Sequence, residues 1–179
     1  MAAKVFEKIL TDDSNTQTDT TRLRAAATPH AGDWLHASPI TAVGLRLSDE
    51  AIRIAVGFRL GSRICQPHSC VCGAMVDAKG LHGLLCKRIA PRQIRHVQMN
   101  DIIWRSVKKA QYPAVQEPVG LSRSDGKRPD GATMIPWKRR KPLASDVTIQ
   151  DTFANSYIGE TSMRATAAAD RAAENKTTK

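Results

Sequence analysis

The stretch Lys127–Thr148, KRPDGATMIPWKRRKPLASDVT, decides how the chain folds. It reads as two short strands joined by a basic turn. Residues 130–137 and 143–149 are apolar or β-branched enough for strands, and Lys138, Arg139, Arg140, Lys141 and Pro142 form a solvated connection between them. Each strand carries one acid among apolar neighbours, Asp130 and Asp146. A carboxylate beside a core is costly unless a cation or a donor offsets its charge. Two on adjacent strands can share a divalent cation, and Mg²⁺ favours a couple of carboxylates together with waters and phosphate oxygens. Phosphodiester cleavage uses such an ion to polarise the phosphoryl oxygen and activate a water. The same residues also permit a hairpin whose acids face solvent or pair with the basic turn.

Upstream, residues 92–110 carry the strongest helical pattern. Ile94, Val97, Trp104 and Val107 form the expected core stripe, and Arg92, Arg105, Lys108 and Lys109 the exposed side. His96, Asn100 and Asp101 fall within about two turns, close enough to join one polar site; His96 as a local cap or ion-pair partner is the alternative. Tyr112-Pro113 ends the helix. Residues 114–118 read as a short strand, so Glu117 becomes a third candidate carboxylate, one strand before Asp130.

All four cysteines lie between Cys65 and Cys86. In an intracellular chain such clustering suggests metal before disulfides. Cys70-x-Cys72-Gly73 followed by His82-x-x-x-Cys86 offers four ligands that Zn²⁺ takes tetrahedrally. Gly73 suits a tight turn over the metal, and His82 with Cys86 fits one helical turn. The Cys-x-Cys gap is tighter than the usual two residues, which leaves Cys65 as a possible replacement for Cys70 and His68 as a spare. Free thiols beside a surface histidine are the plain alternative.

The rest of the chain frames these elements. Residues 1–21 read as a polar lead-in after a short helix at 3–10, and 22–28 as a helical turn or two. Ser48 is a natural N-cap for a helix to Leu60, with Ile52, Ala55, Val56 and Leu60 on one face and Gly61 as its stop. A further helix is expected at 161–174. With 179 residues and eight aromatic rings, the core is modest and mostly aliphatic. No apolar run reaches the roughly 20 residues of a membrane span, and MAAKVFEKIL is no secretory signal, so an intracellular protein is expected. Between Lys87 and Lys141 there are 14 Lys/Arg against 4 Asp/Glu, so this segment carries the whole net charge of +10. Such confinement is the footprint of a polyanion binder.

The order of a Cys/His knuckle, an Arg95-His96…Asn100-Asp101 helix, Lys127-Arg128-Pro129-Asp130 and a further acid at Asp146 resembles a known family. It is the C-terminal region of non-LTR retrotransposon polyproteins that carry a restriction-enzyme-like endonuclease. HAGDWLHASPI, GLSRSDGKRPDG and IPW are also similar to that group, and the resemblance covers roughly residues 22–175. It implies an α/β fold with a PD-(D/E)XK nuclease-like mixed sheet and flanking helices. The expected organisation is a lead-in and helical segment at 1–61, a zinc knuckle at 62–90 and the nuclease-like domain at 91–179. Structural Zn²⁺ and catalytic Mg²⁺ are the cofactors implied. Asp130 and Asp146 would hold Mg²⁺ with Glu117 or Asp101 as outer partner, and Arg95 and His96 would meet the phosphate or the water. Thr148 stands where the nuclease motif has its lysine, so Lys127, or Arg164, would supply that charge. Arg92, Arg95, Arg128, Lys138, Arg139, Arg140 and Lys141 would track nucleic acid. The partners implied are DNA, element RNA and the reverse transcriptase portion of a longer polyprotein, in the nucleus. No reverse transcriptase motif stands in this chain, so it would be a fragment or a decayed remnant of such an element.

Overall fold

A computed structural model describes residues 2–86, 88, 91–122, 124 and 126–177, and of residues 2, 3, 43, 91, 92 and 177 the backbone alone. In chain order the elements are α1 (Ala2–Leu10), α2 (Gln17–Ala26), α3 (Asp49–Leu60), β1 (His68–Ser69), β2 (Met75–Val76), α4 (His82–Leu85), α5 (Pro91–Lys109), β3 (Ala114–Gln116), β4 (Gly131–Thr133), β5 (Ala144–Ser145), α6 (Ile158–Thr161) and α7 (Ala167–Thr177), with 3₁₀ turns at Asp33–His36 and Thr41–Val43. The chain is thus α/β in class, with helices and two small antiparallel sheets, β1-β2 and β3-β4-β5. Among the described residues every strand pair is antiparallel, where a mixed sheet was expected. The chain divides into two compact units, Met1–Ile89 with Gln150–Lys179, and Ala90–Ile149. The expected 91–179 segment is therefore split at residue 150. No helix among the described residues is long and apolar enough to cross a membrane.

In the first unit the core is built of small side chains. Ala167, Ala168 and Ala172 of α7 and Thr161 of α6 are buried. The Thr161 hydroxyl donates to the carbonyl of Thr152 at 2.8 Å and lies 3.0 Å from that of Tyr157, so its burial leaves no orphaned polar atom. Guanidinium groups do the work that aromatic rings do elsewhere. Arg59 donates to the carbonyls of Ala26 (2.8 Å) and Ala31 (3.0 Å), while Arg22 donates to that of Arg59 at 2.8 Å. Each satisfies a carbonyl that the end of α2 or α3 leaves without an intrahelical partner, and places positive charge where the helix dipole favours it. Arg24 ties α2 to the other end of the chain through the carbonyl of Ser162 at 2.7 Å.

Helix α3 begins and ends as its residues dictate. Ser48 accepts from the amide of Ala51 at 3.2 Å, and Gly61 stops the helix in the left-handed region at φ 72°. The expected apolar face is displaced, however: Ile52 and Leu60 are exposed. The buried position is Gly57, where a Cβ would lie 2.3 Å from Ile64 Cγ2. A residue without a side chain gives no hydrophobic signal, so this contact cannot be found by periodicity.

Helix α2 starts five residues earlier than expected, because Thr16 caps it. Its hydroxyl accepts from the Asp19 amide at 3.2 Å and donates to Asp19 Oδ2 at 2.7 Å. Lys79 Nζ reaches Asp19 Oδ1 at 2.7 Å from the far side of the knuckle segment. Burial raises the Asp19 carboxyl, but the hydrogen bonds from Lys79 and Thr16 outweigh it and the pKa falls below its ordinary 3.8. A carboxyl depressed in the folded state stabilises above its unfolded pKa, and that stability disappears as pH falls through the folded value. Asp19→Asn should therefore lower stability at neutral pH by about 1.5 kcal/mol, the lower end of the range for a hydrogen bond to a charged group. In thermal melts the gap between variant and parent should close at pH values below 3.8.

The second unit is α5 laid against β3-β4-β5. Trp104 Nε1 donates to the carbonyl of Ala114 at 2.9 Å, locking the helix to the first strand. Ala132 and Thr133 are buried beneath it. The side of α5 turned to the sheet is Asn100, Ile103, Trp104 and Val107, facing Ala132 and Leu143. The expected stripe holds only in its second half: Ile94 and Val97 are 54% and 55% exposed. The sheet is too short to cover the first half, because the strands expected at 130–137 and 143–149 shrink to three and two residues. Pro136 and Pro142, which lack an amide hydrogen, limit the ladder at its hairpin end only.

Candidate metal centre and acidic strand pair

The first pair of cysteine ligands is set by a hairpin. β1 and β2 pair His68 with Val76 and Ser69 with Met75, so the intervening chain must reverse tightly. The Cys70 amide donates to the Ala74 carbonyl and the Gly73 amide to the Cys70 carbonyl, both at 2.8 Å. Gly73 sits at φ 88°, a conformation that other residues adopt only at a cost. The second ligand pair lies one helical turn apart on α4, where the Cys86 amide donates to the His82 carbonyl at 2.8 Å.

The sulfurs of Cys70, Cys72 and Cys86 and a nitrogen of His82 all fall within 4.8 Å of one another. Cys70 and Cys86 sulfurs are 3.7 Å apart, and Cys72 Sγ is 3.2 Å from His82 Nε2. A tetrahedral zinc with Zn–S of about 2.3 Å sets its sulfurs about 3.8 Å apart, so the donor set and its spacing fit a metal such as zinc. The electrostatics agree. The Cys72 amide draws the Cys70 thiol down, yet burial and the neighbouring Cys72 and Cys86 thiols push it up overall. The thiolate form that a metal takes would therefore need the cation's charge beside it.

Cys65 does not join the cluster. Its thiol donates to the Asp77 carbonyl at 3.3 Å, and His68 Nδ1 is engaged with the Gln66 carbonyl at 2.8 Å. Of the two sets left open by spacing, the fold assembles the one containing Cys70. Among the described residues no other group of three or more His, Cys, Asp and Glu converges in this way.

The acidic strands meet in a definite register. β4 and β5 pair Gly131 with Ser145 and Ala132 with Ala144, and β3 pairs Gln116 with Gly131. One step further along the first ladder sets Asp130 opposite Asp146. Since Thr133 and Leu143 form a hydrogen-bonded pair, alternation makes 130 and 146 a non-hydrogen-bonded one, whose side chains share a face and lie close. Asp130 Oδ2 accepts from the Val147 amide at 2.6 Å and lies 3.4 Å from His96 Nε2. His96 Nδ1 in turn is 3.4 Å from Asn100 Nδ2. Asp130 is largely covered, while Asp146 is exposed. An open groove beside them is lined by Gln93, His96, Val147, Thr148 and Ile149.

The remaining candidates are distributed as follows. Asp101 pairs with Arg105 one turn along α5, and Glu117 pairs with Arg128, so both acids are neutralised by their own neighbours. The Glu117 amide donates to the Asp130 carbonyl at 2.8 Å, which makes Glu117 a backbone neighbour of the acidic pair. Lys127 is exposed and Arg95 half-buried. The side chain of Arg92 lies outside the described residues. Lys138, Arg139, Arg140 and Lys141 are all exposed at a hairpin tip. Arg164, on the first unit, pairs with Asp170. Reading the sequence missed the Val147 amide as a partner of Asp130, since a backbone donor has no signature in residue type.

No protein-family model, no curated protein and no solved structure matches this chain.

Proposed function

We propose that residues 90–149 form a Mg²⁺-dependent endonuclease-like unit of the PD-(D/E)XK kind, from a retrotransposon polyprotein, that nicks DNA to prime reverse transcription. The observation that carries this reading is the register that opposes Asp130 to Asp146, with His96 beside Asp130. Two carboxylates that share a face across a ladder can share a divalent cation. Asp130 and Asp146 would hold the ion, which when bound supplies charge neutralisation and a water of lowered pKa. His96, steadied by Asn100, stands where it can orient a water or a phosphate oxygen. Arg95, Lys127 and the basic turn would hold the flanking backbone. The knuckle would be a separate zinc-held module of the same chain in this scheme, and DNA, element RNA, the reverse transcriptase portion and the nucleus follow from the same reading.

Thr148 in place of a lysine removes a charge that would stabilise the phosphorane, a contact whose loss costs about 3 kcal/mol in other enzymes. Cleavage is therefore slow, and Thr148→Lys should accelerate it. Asp146→Ala should abolish Mg²⁺-dependent nicking of a supercoiled plasmid while DNA affinity stays as it was. If no nicking occurs under any condition, the reading fails.

A second reading, a non-cleaving zinc-containing nucleic-acid-binding module, is favoured by the partners the acids already have. Asp130 is engaged by the Val147 amide, Glu117 by Arg128 and Asp101 by Arg105. Both readings require salt-sensitive binding, because each neutralised phosphate releases counterions. Arg139→Ala with Arg140→Ala should flatten the slope of log affinity against log salt by about 2, nearly one per phosphate contact. An unchanged slope in a titration at several salt concentrations would leave the turn as mere solvated surface.

A further inference from the structure

Residues 134–143 leave the sheet as a narrow hairpin, of which the cleavage reading uses only the charge at the tip. Thr133 braces its base: its amide donates to the Leu143 carbonyl, its hydroxyl accepts from the Leu143 amide and donates to the Ile135 carbonyl, each at 2.9 Å. At the tip, Lys138 and Lys141 exchange backbone hydrogen bonds of 3.3 and 3.0 Å around Arg139 and Arg140. Both arginines lie in the left-handed region, at φ 51° and 60°. A two-residue turn with both central residues at positive φ favours Asn-Gly, because the Cβ of a bulky residue crowds its carbonyl there. The turn thus carries local strain while it gathers two guanidinium and two ammonium groups at one point. Among the described residues none of the four takes part in an ion pair.

Directly below the tip stands an aromatic platform. Trp137 is 48% exposed. Its ring packs against Tyr112, centroids 4.6 Å apart and tilted by 53°. Tyr112 is half-buried, and the Met134 amide bonds the adjoining Pro113 carbonyl at 2.8 Å, so the exposed indole is held from behind.

We infer that this hairpin binds an unpaired nucleotide strand, with a base stacked on Trp137 and the neighbouring phosphates taken by Arg139, Arg140 and the flanking lysines. A fixed, exposed ring beside cations that no described acid neutralises is the arrangement that single strands use, since an unstacked base offers a π-face and a duplex hides it. The inference rests on the reading of the chain as a nucleic-acid binder and adds that the strand held here is single.

Fluorescence anisotropy of the full chain with short labelled oligo-dT, oligo-rU and a matched DNA duplex, with no Mg²⁺ added, tests it. Trp137→Ala should weaken oligonucleotide binding about tenfold, the scale of one lost base stack, and change duplex binding less than twofold. Arg139→Asn with Arg140→Gly should raise the thermal midpoint, because the strain is relieved, and still weaken single-strand binding. Preference for oligo-dT or oligo-rU identifies the sugar of the strand, and either one sustains the proposal. Unchanged oligonucleotide affinity in Trp137→Ala, or equal losses on single strand and duplex, overturns it while the cleavage reading stands. If the parent chain bound no nucleic acid at all, both would fall together.

Discussion

Cys86→Ser should abolish metal binding and remove most of the order of residues 65–86. The parent chain should hold about one zinc, the stoichiometry of a single four-ligand site. Cys86 is the ligand for which the chain has no substitute: it is 5% exposed and lies 3.7 Å from Cys70. Around it stand only a two-residue-strand hairpin and a four-residue helix. Elements this short do not persist alone, so the energy that holds them must come from the ligand bonds. Structural zinc in peptides of this size contributes apparent binding energies of about 10–16 kcal/mol near neutral pH. That exceeds what the buried side chains of the knuckle, Val76 and Cys86, can supply at about 1.5–3 kcal/mol for a side chain of valine size. Metal analysis should find the variant empty, and hydrogen exchange should show the Cys70 and Cys86 amides unprotected. Cys65→Ser is the control, and it should keep its metal because the Cys65 thiol is spent on the Asp77 carbonyl. A metal-free parent of undiminished stability would overturn the metal centre altogether.

Asp130→Ala and Asp130→Asn should part company. The alanine variant loses nicking and also stability, because the Val147 amide loses its acceptor in a largely covered place and His96 loses a neighbouring carboxylate. Leaving a part-buried amide unpaired costs about 1–3 kcal/mol. Asparagine keeps an oxygen for the Val147 amide, so that variant should melt close to the parent. It lacks the charge that would bind a divalent cation, so its nicking should fall at least a hundredfold, the scale of a lost transition-state charge contact. Plasmid nicking and thermal melts on the two variants separate the roles. Full activity in Asp130→Asn would make Asp130 a purely structural residue that fixes the end of β5, and the cleavage reading would be abandoned.

The two largest effects thus fall on groups that differ in how visible they are in the sequence. The knuckle is legible almost entirely, since Cys70, Cys72, His82 and Cys86 lie close along the chain and their spacing already encodes a turn and a helical turn. Local backbone geometry suffices to bring them together. The caps at Ser48 and Gly61, the helix over Pro91–Lys109 and the place of the three strands follow from residue type for the same reason. Other features needed the tertiary structure. Whether Cys65 or Cys70 completes the cluster depended on where the Asp77 and Ala78 carbonyls fall. Which side of α5 is covered depended on the length of the sheet, which ends at Ser145, so Ile94 and Val97 stand exposed although their spacing matches Trp104 and Val107. The core of alanines and threonines, the guanidinium groups on helix ends and the close approach at Gly57 are long-range contacts of residues with weak hydrophobic signals. The opposition of Asp130 and Asp146 is a matter of register, and a slip of one residue would send them to opposite faces with the sequence unchanged.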